Sequence, residues 1–352
     1  MAQAEGYGTH PTIYASYTNE ELFAAYRASS WFGLDEHHRQ QLLQETANRA
    51  AAVRGELGAC EVRFADLQSG TLGQQSGNLI ELNRSVFAQD SYTHTYNGRT
   101  ISEFAQDSNF RALETVLHED IHAWQNQCVE GVISTGNPAL VEQYASNNFT
   151  LSYVPDENGG TRLGSHYLNG VTEKSGYYLY YFQSTERDAH QYAEKETVRI
   201  LHGLESRYGE DSSMTAYLKH LEVNGFDVTS REAQQLFGVK DFEQEVNKVL
   251  YNQYYGANLP VDPSVEQAVQ KEMAASYALQ YNLDMKLGSG QSAGADNPPG
   301  AVSIEAYNSS VGGGETALYT HGESAAPSEN SAPAAAPGAA AGGGLEDDGG
   351  LE

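Results

Sequence analysis

The chain has 352 residues, enough for one large domain or two ordinary ones, and its formal net charge is −27 because 47 acidic residues outnumber 20 Lys and Arg. This excess of negative charge argues against nucleic acid and anionic lipid as partners, since both are bound through clustered basic side chains. No run of about 18 apolar residues occurs, so no membrane-spanning helix is expected.

The N-terminal segment and the cysteines bear on the compartment. The first 22 residues, "MAQAEGYGTHPTIYASYTNEEL", contain neither a basic stretch nor an apolar core of a secretory signal, which predicts a cytoplasmic protein. Export by a signal-independent machine stays open. Cys60 and Cys128 are too few for a disulfide framework and are interpreted as small buried hydrophobes, although their pairing stays open. The oligomeric state is not indicated.

The first predicted elements are two helices followed by a small sheet. Thr18 and Glu21 fit a capping box, and Asp35 precedes a longer helix that should end at Gly55. The alternating stretches "CEVRFADL" and "GNLIELN" then predict two strands, with the Gly-rich "QSGTLGQQSG" as a hairpin-like connection between them.

The next predicted element is an amphipathic helix over "NFRALETVLHEDIHAWQNQC". Asp107 or Ser108 can cap its start, apolar residues recur at 3.6-residue spacing, and Gly131 follows its end. Residues 132–176 are less regular. A second long helix is expected from about Ser184 to Leu204.

The remaining sequence predicts further helices and then a tail. Four helices are expected, at "SSMTAYLKHLE", "SREAQQLF", "DFEQEVNKVLYNQYY" and "SVEQAVQKEMAASYALQYNLDMK". From about Leu287 the chain is acidic, rich in Gly, Ala, Ser and Pro, and poor in large apolar residues, which predicts disorder. We therefore expect an α+β, predominantly helical fold with a domain at 1–205, a helical subdomain at 206–286 and a disordered tail at 287–352.

The motif His118-Glu119-Asp120-Ile121-His122 lies inside the amphipathic helix. Residues four apart lie one above the other on a helix, so both imidazoles can reach one zinc ion. Glu119 is rotated by about 100° from His118, which keeps it off the metal but close enough to act as the base. A catalytic zinc site needs a third protein ligand. The alternative is a solvated acidic helix that contains two unrelated histidines.

This motif resembles the HExxH zinc metallopeptidases, or zincins. The extended pattern HExxHxxGxxH is contradicted because Gln125 and Cys128 occupy its glycine and third-histidine positions. Cys128 as a thiolate ligand is an unusual alternative. The stretch "QSTERDAHQYAE" is similar instead to the gluzincin branch and to small bacterial zincin domains, some of them in toxins and effectors. That resemblance implies Glu186 as the third zinc ligand, although Glu186 also suits a helix first turn.

The resemblance also implies a fold, a substrate class and further site residues. The expected fold is zincin-like, with the small sheet packed on the motif helix, and the substrate is a peptide or protein that adds to the edge of the strand at 77–83. Tyr180, Tyr181 and His190 are the candidate oxyanion stabilisers. His190 stands where large gluzincins often carry an acidic partner for a zinc histidine, so Asp188 or Asp120 is expected to orient the ligands.

Two other functions remain consistent with the sequence. A zincin-like binding or effector module without proteolysis would have no use for Glu119, since a purely structural zinc site has a fourth ligand in place of a base. Zinc-dependent hydrolysis of an amide in a cell-wall peptide is the other, and the sequence does not separate it from proteolysis.

Overall fold

The computed structural model describes residues 8–67, 71–96, 99–148, 151–155, 161–165, 168, 170 and 172–288. Within these ranges the protein is predominantly helical with a small sheet, which confirms the α+β prediction. Of the predicted disordered tail, Leu287 and Gly288 belong to the last helix, and residues 289–352 lie outside the described residues. No described helix is both long and apolar enough to cross a lipid bilayer.

The elements alternate between helices and short strands in the first half and are all helical in the second. The helices are α1 (Asn19–Ala24), α2 (Ala28–Trp31), α3 (Glu36–Arg54), α4 (Arg84–Phe87), α5 (Ser108–Val129), α6 (Pro138–Asn148), α7 (Glu173–Tyr181), α8 (Ser184–Tyr208), α9 (Ser212–Asn224), α10 (Phe226–Phe237), α11 (Phe242–Tyr255) and α12 (Pro263–Gly288). The strands are β1 (Glu61–Ala65), β2 (Gly73–Ser76), β3 (Leu79–Asn83), β4 (Ser91–Tyr96), β5 (Arg99–Phe104), β6 (Leu151–Pro155) and β7 (Thr161–Ser165).

The predicted helix signals at the N-terminus are confirmed. Thr18 and Glu21 form the reciprocal capping box of α1. Asp35 accepts a hydrogen bond from the backbone N–H of His38 at the start of α3, and Gly55 ends that helix in the left-handed conformation with φ 69°. Local sequence therefore defines where both helices begin and where α3 ends.

The three-stranded sheet differs from the predicted hairpin. β1 and β3 are parallel neighbours, and β2, which lies within the expected connection, pairs antiparallel with β3. Gly77 has φ 60° and opens the two-residue turn between Ser76 and Leu79, which suits the primed turns of tight hairpins. The strand order β1-β3-β2 places β2, rather than β3, at the edge. The expectation that the strand at 77–83 offers its edge is therefore wrong, because both sides of β3 are paired.

The core consists of two hydrophobic clusters, and only the first includes the motif helix. The first joins the N-terminal helices and the sheet to one side of α5 and α8, with Trp31, Leu117 and Tyr217 among its fully buried members. The second is formed by α7 and helices α10 to α12, around Phe182 and Phe242. The helix α7 therefore packs with the C-terminal helices although it directly precedes α8 in the chain.

The segment 132–176 holds more structure than its sequence indicates. It contains α6, which begins at Pro138, and the antiparallel pair β6 and β7. Proline suits the first position of a helix because its missing N–H would have no partner there. The antiparallel pair β4 and β5 was likewise not predicted from the sequence.

Candidate metal centre

Three side chains from α5 and α8 meet at one point. The Nε2 atoms of His118 and His122 lie 3.1 Å apart. The Oε2 atom of Glu186, in the first turn of α8, lies 3.4 Å from His118 Nε2 and 3.5 Å from His122 Nε2. Each side chain is only 12–13% exposed. The structure thus brings together the three residues that the sequence and its resemblance select as ligands.

The carboxylate oxygen of Glu186 is buried without a close donor. Contacts of 3.4 and 3.5 Å exceed ordinary N–H···O distances, and Oε2 has no hydrogen-bond partner among the described residues. A buried carboxylate oxygen normally has a hydrogen-bond donor or a cation beside it. An ion between the two nitrogens and this oxygen satisfies all three atoms, so the donor set fits a metal ion.

Gln125 fixes the orientation and the tautomer of His122. The Nε2 of Gln125 donates to the backbone oxygen of Thr185 at 2.9 Å, so its Oε1 must face His122. His122 Nδ1 lies 3.0 Å from that Oε1 and therefore carries the proton. The lone pair on His122 Nε2 is then directed at the site, as metal ligation requires.

The residue that orients His122 differs from the prediction. Asp120 or Asp188 is expected in this role from the sequence, in which Gln125 stands out only as a departure from the extended zincin pattern. The contact between Gln125 and His122 could have been predicted from their spacing, because residues three apart lie on the same helix face.

The two expected carboxylates are engaged elsewhere. Asp120 is fully buried and pairs with Arg54, which also binds Glu56 at 2.7 Å. Asp188 accepts hydrogen bonds from the Tyr144 hydroxyl at 2.8 Å and from Arg187 at 2.7 Å. Asp120 thus ties α5 to the end of α3, and Asp188 ties α8 to α6.

His190 forms part of a second, wider group of possible ligands. Ligand atoms of His118, Glu186 and His190 lie within 4.8 Å of one another. An ion in tetrahedral coordination with ligands at about 2.0–2.1 Å requires ligand atoms about 3.3 Å apart. The set with His122 has spacings of 3.1–3.5 Å and meets this requirement as it stands. The set with His122 therefore fits a metal ion more closely than the set with His190, whose ring lies 4.2 Å from the His118 ring.

Glu119 is buried between the site and the edge strand of the sheet. Its side chain is 7% exposed, and burial raises its pKa, while His118 and His122 act in the opposite direction. A Cβ on Gly73 of β2 would lie 2.7 Å from Thr115 Cγ2 and 3.0 Å from Glu119 Oε1. The backbone of β2 therefore lies directly against the carboxylate, and any side chain at position 73 would displace it.

Tyr180 is the expected oxyanion stabiliser that faces the carboxylates. Burial and the charges of Glu186 and Glu119 raise the pKa of Tyr180 well above its ordinary value. Its hydroxyl therefore keeps its proton at neutral pH and is available as a donor at the site.

Tyr181, the next residue of α7, packs against His190. It is 2% exposed, and its ring stacks on the His190 imidazole with centroids 4.1 Å apart and an interplanar angle of 9°. Burial and the neighbouring Tyr177 raise its pKa, and its hydroxyl bonds Thr229. Tyr181 thus packs on His190, and its hydroxyl interacts with Thr229.

The electrostatics of the site favour a positive charge. Burial would lower the pKa of His122, but Glu186 and Glu119 raise it to about 9. Burial would raise the pKa of Glu186, but His122 and His118 lower it well below the ordinary value. Two buried carboxylates thus stabilise a cation between the imidazoles, and a metal ion competes with a proton for that position.

Comparisons of this chain with protein-family models, with curated proteins and with solved structures gave no match.

The closer fit of the set with His122 predicts unequal effects on metal binding. We expect His122→Ala to weaken Zn²⁺ binding by more than the roughly 10–100-fold that changes beyond the direct ligands cost, and His190→Ala to retain most of the affinity. Competition with a fluorescent chelator measures both constants. A larger loss in His190→Ala than in His122→Ala would show that the wider group holds the ion.

The contact between Gln125 and His122 predicts a smaller effect on Zn²⁺ affinity. Gln125→Leu removes the acceptor for His122 Nδ1, so we expect Zn²⁺ affinity to fall by about 10–100-fold. Gln127→Leu is the matched control, because Gln127 is an equally buried carboxamide on α5 that accepts instead from the backbone N–H of Leu57. The role of Gln125 is contradicted if both variants bind Zn²⁺ with the same affinity.

Proposed function

We propose that the protein is a zinc-dependent peptide hydrolase of the gluzincin type, in which His118, His122 and Glu186 hold the ion. The observation that carries this proposal is the triangle of two Nε2 atoms and one carboxylate oxygen, with sides of 3.1–3.5 Å, beside a buried glutamate. Two His and one Glu form a common ligand set of catalytic zinc, which leaves a fourth position open. When bound, zinc lowers the pKa of water and polarises the carbonyl group of the substrate.

Glu119 has the position and the environment of the general base. It directly follows His118, so it lies beside the ligands without being one of them, and its burial raises its pKa. In the proposed reaction Glu119 accepts a proton from the attacking water and delivers it to the leaving nitrogen of the peptide bond. The other ionisable groups of the triangle, His118, His122 and Glu186, are the proposed ligands. Glu119 is therefore the carboxylate beside them that is free for proton transfer.

Tyr180 is the proposed hydrogen-bond donor to the substrate oxygen. Its protonated hydroxyl lies next to Glu186 and interacts with Glu119, on the side of the site formed by α7. A donor that is already in place where negative charge develops stabilises the transition state without reorganisation. Tyr181 has its hydroxyl on Thr229 and is excluded from this role.

The edge strand β2 supports a peptide as the substrate. Among the described strands β2 lies at an edge of its sheet, so an extended segment that paired with it would run past Gly73, whose close contact with Glu119 supports the proposed base. Backbone pairing recognises any extended peptide. A protein and a cell-wall peptide are both consistent with this edge.

The assignment of Glu119 separates hydrolysis from binding without cleavage. We expect Glu119→Gln to keep Zn²⁺ at near-unit stoichiometry and to lower kcat on a peptide library by about 10²–10⁴-fold, because the amide cannot accept the proton. Glu130→Gln, at the exposed end of the same helix, is the control. Metal content and mass-spectrometric product analysis give the result.

Each alternative outcome has its own meaning. Zinc bound by the wild type with no cleavage in either protein would favour a zincin-like binding module. Wild-type protein that neither purifies with zinc nor cleaves peptides after zinc addition would contradict the proposed function as a whole.

The two neighbouring tyrosines provide a matched pair for the oxyanion donor. We expect Tyr180→Phe to lower kcat by about 10²–10³-fold with little change in KM, because the lost hydrogen bond forms in the transition state. Tyr181→Phe removes a hydroxyl of the same kind that bonds Thr229, so its kcat should stay close to that of the wild type. Steady-state kinetics on one cleaved peptide compares them. A larger loss in Tyr181→Phe than in Tyr180→Phe would reject Tyr180 as the donor.

A further inference from the structure

A buried asparagine from α11 closes the corner between α7 and α8. The two helices are joined only by Phe182 and Gln183, and both residues are buried. Asn247 Oδ1 accepts a hydrogen bond from the backbone N–H of Ser184 at 2.8 Å, and its Nδ2 donates to the backbone oxygen of Phe182 at 2.9 Å. One carboxamide thus bonds the first residue after α7 and the first residue of α8.

Side chains from outside the corner bond these backbone groups, because the corner's own sequence provides no cap. An N–H in the first turn of a helix has no acceptor within that helix. Gln183, which precedes α8, makes no capping hydrogen bond. The carboxamide of Asn or Gln provides a donor and an acceptor on one planar group without a charge. Asn147 also accepts from Ser184, but its Nδ2 bonds Gln143 of its own helix, so Asn147 does not connect the two sides.

The corner lies between two residues of the proposed site. Tyr180 precedes Phe182 by two positions, and Glu186 follows Ser184 by two positions, so the corner fixes the spacing between the proposed donor and the third ligand. The backbone oxygen of Thr185 accepts from Gln125, which orients His122. A continuous path of short contacts therefore leads from Asn247 to both a ligand and the carboxamide that orients another.

We propose that Asn247 is a positioning residue through which the C-terminal helices set the geometry of the metal centre. Its Nδ2 also donates to Glu243 one turn earlier on α11, so the carboxamide is held from both sides and is 6% exposed. The helix α11 thereby controls where Glu186 and Tyr180 stand relative to His118 and His122. The catalytic consequence rests on the proposed function, whereas the closure of the corner does not.

Two variants of Asn247 and one control test this inference. Asn247→Leu removes the donor and the acceptor, and Asn247→Asp keeps the acceptor but replaces the donor with negative charge beside the Phe182 carbonyl. Val249→Ala is the control. Val249 is buried in the second hydrophobic cluster and lies on α11 like Asn247, but its side chain points about 200° away from that of Asn247. Asn247→Asp preserves the size and shape of the side chain, so it keeps the test valid if Asn247→Leu does not fold.

The readouts are Zn²⁺ affinity, kcat against KM, and amide hydrogen exchange of residues 182–187. In both Asn247 variants we expect faster exchange in this segment, a Zn²⁺ affinity lowered by about 10-fold or more, and a lower kcat with little change in KM. In Val249→Ala, exchange at 182–187 and Zn²⁺ affinity should match the wild type.

Two results would overturn the inference. One is wild-type exchange and wild-type Zn²⁺ affinity in both Asn247 variants. The other is an equal loss in Val249→Ala, which would assign the effect to the general stability of α11. If the wild type itself binds no Zn²⁺, the proposed function fails, while faster exchange at 182–187 in the Asn247 variants alone would still support the closure of the corner.

Discussion

The packing of α5 against α8 is the contact on which the rest of the site depends. It brings the imidazoles of His118 and His122 on one helix to within 3.5 Å of the Glu186 carboxylate on the other. Three polar side chains at this depth are stable together only if their charges and hydrogen bonds are matched. Much of the surrounding structure accomplishes this matching. Gln125 orients one ring, β2 lies against the neighbouring carboxylate, and Asp120 and Asp188 attach the two helices to other elements.

Much of the fold could be predicted from local signals. The periodicity of α5, the capping box at Thr18 and the left-handed Gly55 are encoded in short stretches, and each appears as predicted. The strand β2 was missed because "GQQS" has polar residues and no β-branched side chain, and its pairing with β3 is determined by packing on α5. Its position as the edge strand depends on topology, which no local pattern specifies.

The part of the candidate site that lies on α5 could be predicted from the sequence alone. His118, Glu119 and His122 follow from helical spacing, but Glu186 is 64 positions beyond His122 and was selected by resemblance. Residue type alone misled the choice of orienting side chain. Two aspartates were expected because a carboxylate is a strong acceptor, yet both pair with arginines, which removes them from competition for the imidazoles. The weaker acceptor Gln125 takes the role because its other end is already held by a carbonyl.

The division of the core into two clusters explains why a site on α5 and α8 involves the C-terminal helices. The helix α7 carries Tyr180 but packs in the second cluster with α10 to α12, whereas α5 and the sheet pack in the first. The two faces of the site thus belong to different hydrophobic clusters, and they meet at the buried corner before Ser184. A hydrophobic contact tolerates small shifts, since burial is non-directional, but a triangle of proposed ligand atoms with sides near 3.3 Å does not. The directional hydrogen bonds at that corner fix the distance between the proposed ligand Glu186 and the proposed donor Tyr180, which packing alone would leave unspecified.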